Sequence, residues 1–95
     1  MRLILLLNLS DFMIDKFELE VMCNGVQKEF HAKLLLQGYT HKFKVLIDGT
    51  EVFFEPDEEG SYRVVKMPWQ NEKELQKIDV SLLQAIQEKI VSIVR

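Results

Sequence analysis

From residue 15 onwards, apolar and polar residues alternate along much of the chain, which is the pattern of β-strands that bury one face. The first alternating segment covers residues 15–23 and is followed at once by Asn24-Gly25. An Asn-Gly pair is typical of a two-residue type I′ turn, because both central residues take a positive φ. The pattern therefore predicts a tight β-hairpin. Its inward positions are Phe17, Leu19, Val21, Cys23, Val26, Phe30, Ala32, Leu34 and Leu36.

The third and fourth strands are predicted to form a second hairpin. The segment HKFKVLI alternates and is followed by Asp48-Gly49, a turn pair of the same kind. A two-residue turn fixes the register, which sets Phe43 against Phe54 on the inward side. Pro56 has no N–H to give to a neighbouring strand, so we expect it to end the fourth strand.

A fifth strand is predicted for SYRVVKM, which follows the turn PDEEG. Its facing stays open, because Tyr62 with Val64 and Arg63 with Val65 are both plausible inward pairs. We favour Tyr62 and Val64.

The end of the chain has the spacing of an amphipathic helix, with Asp79 as its expected N-cap. Residues 72–78 either extend this helix backwards from a cap at Asn71 or remain outside it. Because a sheet with one apolar face needs a cover, the sequence predicts an α+β fold. Its architecture is an antiparallel β-meander of four to five strands with a C-terminal amphipathic helix packed on one face. The helix stripe consists of Leu82, Leu83, Ile86, Ile90, Ile93 and Val94.

The first residues do not share this pattern, so residues 15–95 are taken as a single domain and residues 1–14 as an N-terminal extension. MRLILLLNLS is too short to cross a bilayer as a helix, and no small-residue cleavage site follows it. The extension is an extra strand, a loosely attached apolar tail, or the product of a non-native start upstream of Met13.

Composition narrows the class of partner. The 95 residues carry a net charge of −3, which argues against a nucleic-acid partner because phosphate binding needs a basic face. A hydrophobic fraction of 47% with 28% charged residues is typical of a globular protein. The single cysteine, Cys23, excludes an internal disulfide and favours a reducing, cytoplasmic location. We expect it to be a small buried side chain, and no cofactor or membrane partner is predicted.

Three stretches, FELEVMCNG, GYTHKFKVLIDGTEVFFEPDEEGSYRVV and DVSLLQAI, resemble a family of small uncharacterised bacterial proteins. The resemblance covers most of the chain from residue 15, and its acidic loop is the most specific part. It implies an antiparallel sheet with a helix, and it implies no mechanism.

The acidic loop that follows the fourth strand is one candidate for cation binding, since Ca²⁺ prefers several oxygen ligands on one turn. Its spacing does not match an EF-hand loop, so a solvated turn is the preferred interpretation. The carboxylates are those of Glu55, Asp57, Glu58 and Glu59.

A second candidate lies on the outward side of the first hairpin. The turn register places Glu18 opposite His31 and Glu20 opposite Glu29. Three carboxylates and an imidazole could bind a divalent metal or support acid–base catalysis. A metal-dependent or acid–base enzyme using Glu18, Glu29 and His31 is therefore the alternative function.

The preferred function is a non-enzymatic binding or protein-interaction module. Large apolar side chains on the outward side often mark a partner surface, and the partner expected is an unknown protein or a second copy of the chain. Trp69 is predicted to plug the core or, alternatively, to contact such a partner. His41 is predicted to be a packed histidine. The proposed contact residues are Met22, Leu35, Leu46 and Phe53.

Overall fold

The computed structural model describes residues 15–94, and the predictions for residues 1–14 lie outside that range. The described chain forms one five-stranded sheet in which each strand pairs antiparallel with the next, followed by helices. The predicted α+β meander is confirmed. The strands are β1 (Asp15–Cys23), β2 (Val26–Gln37), β3 (Thr40–Ile47), β4 (Thr50–Pro56) and β5 (Tyr62–Val65), and the helices are α1 (Glu72–Gln76) and α2 (Val80–Val94).

Both predicted turns have the backbone conformation that their sequences require. Asn24 and Gly25 have φ values of 54° and 78°, and Asp48 and Gly49 have φ values of 48° and 82°. The left-handed region is accessible to Gly and tolerated by Asn and Asp, which is why these pairs close two-residue hairpins. The register follows the turns as predicted, with Phe43 opposite Phe54.

Helix α2 covers one face of the sheet, called the inner face here. Its backbone contacts are mainly with β1 and β5, the two edge strands. Its 15 residues make it about 22 Å long, which is enough to cross the sheet from one edge to the other. The core between α2 and the inner face contains Leu19, Val21, Ala32, Leu34, Phe43, Val45, Ile47, Val52, Phe54, Tyr62, Leu82, Ile86 and Ile90.

The facing of β5 agrees with the favoured alternative. Tyr62 is buried in the core, Val64 packs against it, and Arg63 is exposed. Cys23 is buried beside the first turn, as expected of a small apolar side chain. Val94, by contrast, is 46% exposed although the helical stripe included it.

The region before α2 forms a short separate helix. The Asn71 side chain accepts a hydrogen bond from the backbone N–H of Lys73 at 2.8 Å and caps α1. The Asp79 side chain accepts from the N–H of Ser81 at 2.9 Å, which satisfies one free donor at the start of α2. Residues 72–78 therefore do not extend α2 as a continuous helix. Within residues 15–94, neither helix is long and apolar enough to cross a membrane.

Candidate functional site

The sheet face opposite α2, called the outer face here, presents its side chains in rows that run across the strands. One row places a lysine on each of three neighbouring strands, because Lys16 lies opposite Lys33 and Lys33 lies opposite Lys44. These three residues are called the lysine row. Like charges directly opposite each other on a sheet are unfavourable, so the lysine row does not stabilise the sheet itself.

Apolar side chains lie in the rows on both sides of the lysine row. Leu35 is opposite Lys42 in one neighbouring row, and Leu46 is opposite Glu51 in the other. Neighbouring rows are two residues apart along a strand, which is about 6.5–7 Å. Leu46 is 41% exposed and Leu35 is partly exposed. Two of the predicted contact residues thus border the lysine row.

The ion pairs of the outer face leave part of the lysine row unpaired. Lys44 Nζ is 3.3 Å from Glu51 Oε2, and Lys42 Nζ is 3.9 Å from Glu55 Oε1. The side chains of Lys16 and Lys33, by contrast, form no hydrogen bond or ion pair with any residue in the described part of the chain. Two lysines that lie opposite each other in the register therefore have no counter-charge within that part of the chain.

Glu55 also binds an arginine across the β4–β5 pair. Arg63 donates to Glu55 Oε2 from Nε at 3.0 Å and from Nη2 at 2.7 Å. This hydrogen bond and the charge of Glu55 raise the pKa of Arg63 above its ordinary value. With Lys42 beside it, Glu55 is occupied by two cations and is not available as a free carboxylate.

A groove with a volume of about 530 Å³ follows the unpaired part of the face. Its walls include the lysine row, Leu46 and Glu51, together with Glu18 and His31. Apolar and charged groups converge in one concave region, as is usual where proteins bind ligands.

Phe53 lies on the outer face as predicted, but the prediction that it is exposed is wrong. It is 4% exposed because Trp69 packs over it edge-on, with ring centroids 6.0 Å apart and planes at 87°. The connection from β5 to α1 is held there by Gln70, whose Nε2 donates to the Glu51 carbonyl at 2.5 Å and whose Oε1 accepts from the Met67 N–H at 3.0 Å.

Trp69 itself is 69% exposed, so its predicted role as a plug of the core is wrong. It lies over the outer face instead, on the far side of the sheet from α2. The connection around it has neither strand nor helix periodicity, and no sequence pattern indicates which face it crosses.

Met22 is 61% exposed on the outward side of β1, but it is not part of the same surface. Six residues of extended strand separate it from Lys16, which is about 20 Å. Three of the four predicted contact residues are therefore solvent-accessible. Of these, Leu46 lines the groove, and Leu35 lies in the row next to the lysine row.

The predicted outer-face metal site is only partly assembled. Glu18 Oε2 and His31 Nδ1 are 2.7 Å apart, and Glu20 lies opposite Glu29 in the register. Across residues 15–94, however, no three His, Cys, Asp or Glu side chains are close enough to hold one metal ion. The structure joins two of the four residues, and all four are exposed.

The acidic loop uses its central carboxylate for its own folding. Asp57 Oδ1 accepts hydrogen bonds from the N–H groups of Glu59 at 2.8 Å and Ser61 at 2.9 Å. Gly60 has a φ of 85°, which only glycine adopts without strain. These contacts support the interpretation of the loop as a turn.

His41 is packed on the inner face, as predicted, and has a partner that sequence reasoning missed. Its Nε2 is 2.6 Å from the Tyr62 hydroxyl, and its ring lies edge-on to Phe43. Burial lowers the pKa of His41 and raises the pKa of Tyr62, because both charged forms lose hydration there.

Comparisons with protein-family models, with curated proteins and with solved structures find no match for the chain. The resemblance to a bacterial family therefore stays a prediction, and the functional argument depends on the outer face alone.

Proposed function

We propose that the protein is a non-enzymatic interaction module that binds a protein partner through its outer face. The observation that carries this proposal is the groove in which exposed Leu46 adjoins two lysines without counter-charges. A surface that keeps an apolar side chain and unpaired charges together gains stability when a complementary surface covers it.

The neighbouring aromatic pair supports the same interpretation. Trp69 is mostly exposed, whereas Phe53 beneath it is buried. The indole therefore packs on a phenyl ring that belongs to the sheet. Tryptophan is enriched among the residues that dominate binding energy at protein interfaces. The partner is another protein or a second copy of this chain, in the cytoplasm if the single cysteine reflects a reducing environment.

The enzymatic alternative has less support from the geometry. Catalytic carboxylates and imidazoles are usually perturbed by burial, whereas the side chains of His31 and Glu18 are 76% and 51% exposed. Glu29, the third residue of that alternative, is exposed as well.

The test is crosslinked capture of partners by the native protein and by Leu46→Asp, with Val80→Asp as the matched control. Val80 is exposed at the start of α2, on the other side of the sheet. A charge placed on an apolar contact is expected to reduce capture at least tenfold, which corresponds to about 1.4 kcal/mol.

Val80→Asp should capture the same proteins as the native chain. Sedimentation of the same three proteins shows whether the captured partner is a second copy. Equal capture by all three proteins would contradict the use of the outer face.

A further inference from the structure

We infer that the partner presents an extended segment with one acidic residue, and with an apolar residue two positions before it and another two positions after it. This segment lies along the strands of the outer face. The inference rests on the proposed function and names the chemistry of the occupant. The recognising groups are the lysine row for the acidic side chain and Leu35 and Leu46 for the apolar side chains.

Charge decides the acidic position. Lys16 and Lys33 lie directly opposite each other, and neither has a counter-charge in the described chain. A carboxylate placed between them would replace mutual repulsion with two charge-assisted hydrogen bonds. Strands are about 4.8 Å apart, so two neighbouring ammonium groups can reach the same carboxylate.

Row spacing decides the apolar positions. Leu35 and Leu46 lie in the rows immediately before and after the lysine row. Those rows are about 6.5–7 Å from the lysine row, which is also the distance between side chains i and i+2 of an extended peptide. A segment of the pattern apolar-x-acidic-x-apolar that runs along β2 therefore places its three side chains on matching rows, with Leu46 one strand spacing to the side.

The groove favours a protein segment over a nucleic acid. Glu18 and Glu51 line the same groove, and a continuous phosphate backbone would be held close to both carboxylates. A peptide carries its charge at one position and offers apolar side chains to Leu46, so it can match the face without that repulsion.

The experiment is an amide chemical-shift titration of the full chain with two synthetic peptides, in low salt. The acidic probe contains Leu-Ser-Glu-Ser-Leu, and the neutral probe has Gln in place of Glu. We expect the acidic probe to shift amides of β1, β2 and β3 and to bind roughly threefold to tenfold more tightly than the neutral probe, which is the modest gain typical of exposed ion pairs.

Charge variants test which lysines are responsible. Lys16→Gln combined with Lys33→Gln should remove the difference between the two probes. The matched control, Lys28→Gln combined with Lys73→Gln, has the same net charge and should keep it. The first double variant should be at least as stable as the native chain, because it removes a like-charge pair, so lost binding will not reflect lost folding.

Four results would overturn the inference. The first is equal affinity for both probes, and the second is that the peptides shift amides outside the outer face or shift none at all. The third is that outer-face amides shift when the protein is concentrated without peptide. The fourth is that a ten-nucleotide oligothymidylate produces larger outer-face shifts than the acidic probe. Equal affinity on the outer face would leave the proposed function standing, whereas the capture experiment with Leu46→Asp decides that function separately.

Discussion

His41 and Tyr62 show how one contact depends on protonation. The imidazole Nε2 and the phenol oxygen are 2.6 Å apart on the inner face, between β3 and β5. In the neutral pair the Tyr62 O–H donates and Nε2 accepts, so neither group needs a charge. Partial burial disfavours the charged form of each, which makes the contact a link between pH and folding.

We therefore expect the free energy of unfolding to decrease in both directions from neutral pH. The folded-state pKa of His41 lies below 6.5, so the unfolded chain binds a proton more readily and stability falls as the pH drops through this value. The folded-state pKa of Tyr62 lies above 10.0, so stability also falls as the pH rises past it. Urea denaturation from about pH 7.5 to about pH 5.5 measures the acidic limb.

His41→Phe should flatten that limb, because phenylalanine does not titrate and can still pack on Phe43. Val80→Ala is the control, since Val80 is exposed at the start of α2 and does not titrate, so the limb should be unchanged. Identical pH dependence in the native protein and His41→Phe would exclude the contact as its source.

At the scale of the elements, what could be predicted depended on whether the signal was local. Asn24-Gly25 and Asp48-Gly49 each set a register by their own φ requirements, and the pairings of both hairpins follow from them. Part of the lysine row follows in the same way, because the first turn alone sets Lys16 against Lys33. The position of Lys44 opposite Lys33 depends instead on the β2–β3 pairing, which neither turn pair sets.

The burial of Phe53 could not be predicted in that way. It depends on Trp69, which does not belong to a neighbouring strand. Trp69 lies in the connection after β5, and that connection has no periodicity. The strand pattern therefore placed Leu35 and Leu46 on the outer face, whereas the loop that covers Phe53 was missed and the lysine row was not identified from the sequence.

The start of α2 gives a prediction at this scale. Asp79→Ala removes the acceptor for the Ser81 N–H and should lower the free energy of unfolding by about 1 kcal/mol. Chemical denaturation followed by circular dichroism measures the change. Glu88→Ala, an exposed substitution within the same helix, should change stability by less than about 0.5 kcal/mol. Similar values for the two variants would show that the cap is not formed in solution.

At the scale of the whole molecule, stability depends on the contact between α2 and the inner face of the sheet. Ile86 is fully buried in the core that this contact forms. The helical stripe predicted most of the residues that pack there, with Val94 as the exception. The way α2 reaches both edge strands depends on the packing of all five strands, and no single segment encodes it.

Ile86→Ala should therefore lower the free energy of unfolding by about 2–5 kcal/mol, through lost burial and the cavity left behind. Val80→Ala, at an exposed position of the same helix, should cost less than about 0.5 kcal/mol. Urea denaturation compares them. A loss below about 1 kcal/mol for Ile86→Ala would be incompatible with full burial of this side chain.

Trp69 is the only tryptophan in the chain, and it stands exposed beside the lysine row on top of Phe53. Its near-ultraviolet emission therefore originates from one known place, at the border of the proposed contact surface. Ligands that cover this border should shift that emission to shorter wavelengths as water leaves the indole. The protein thus contains its own label-free reporter for screening partners.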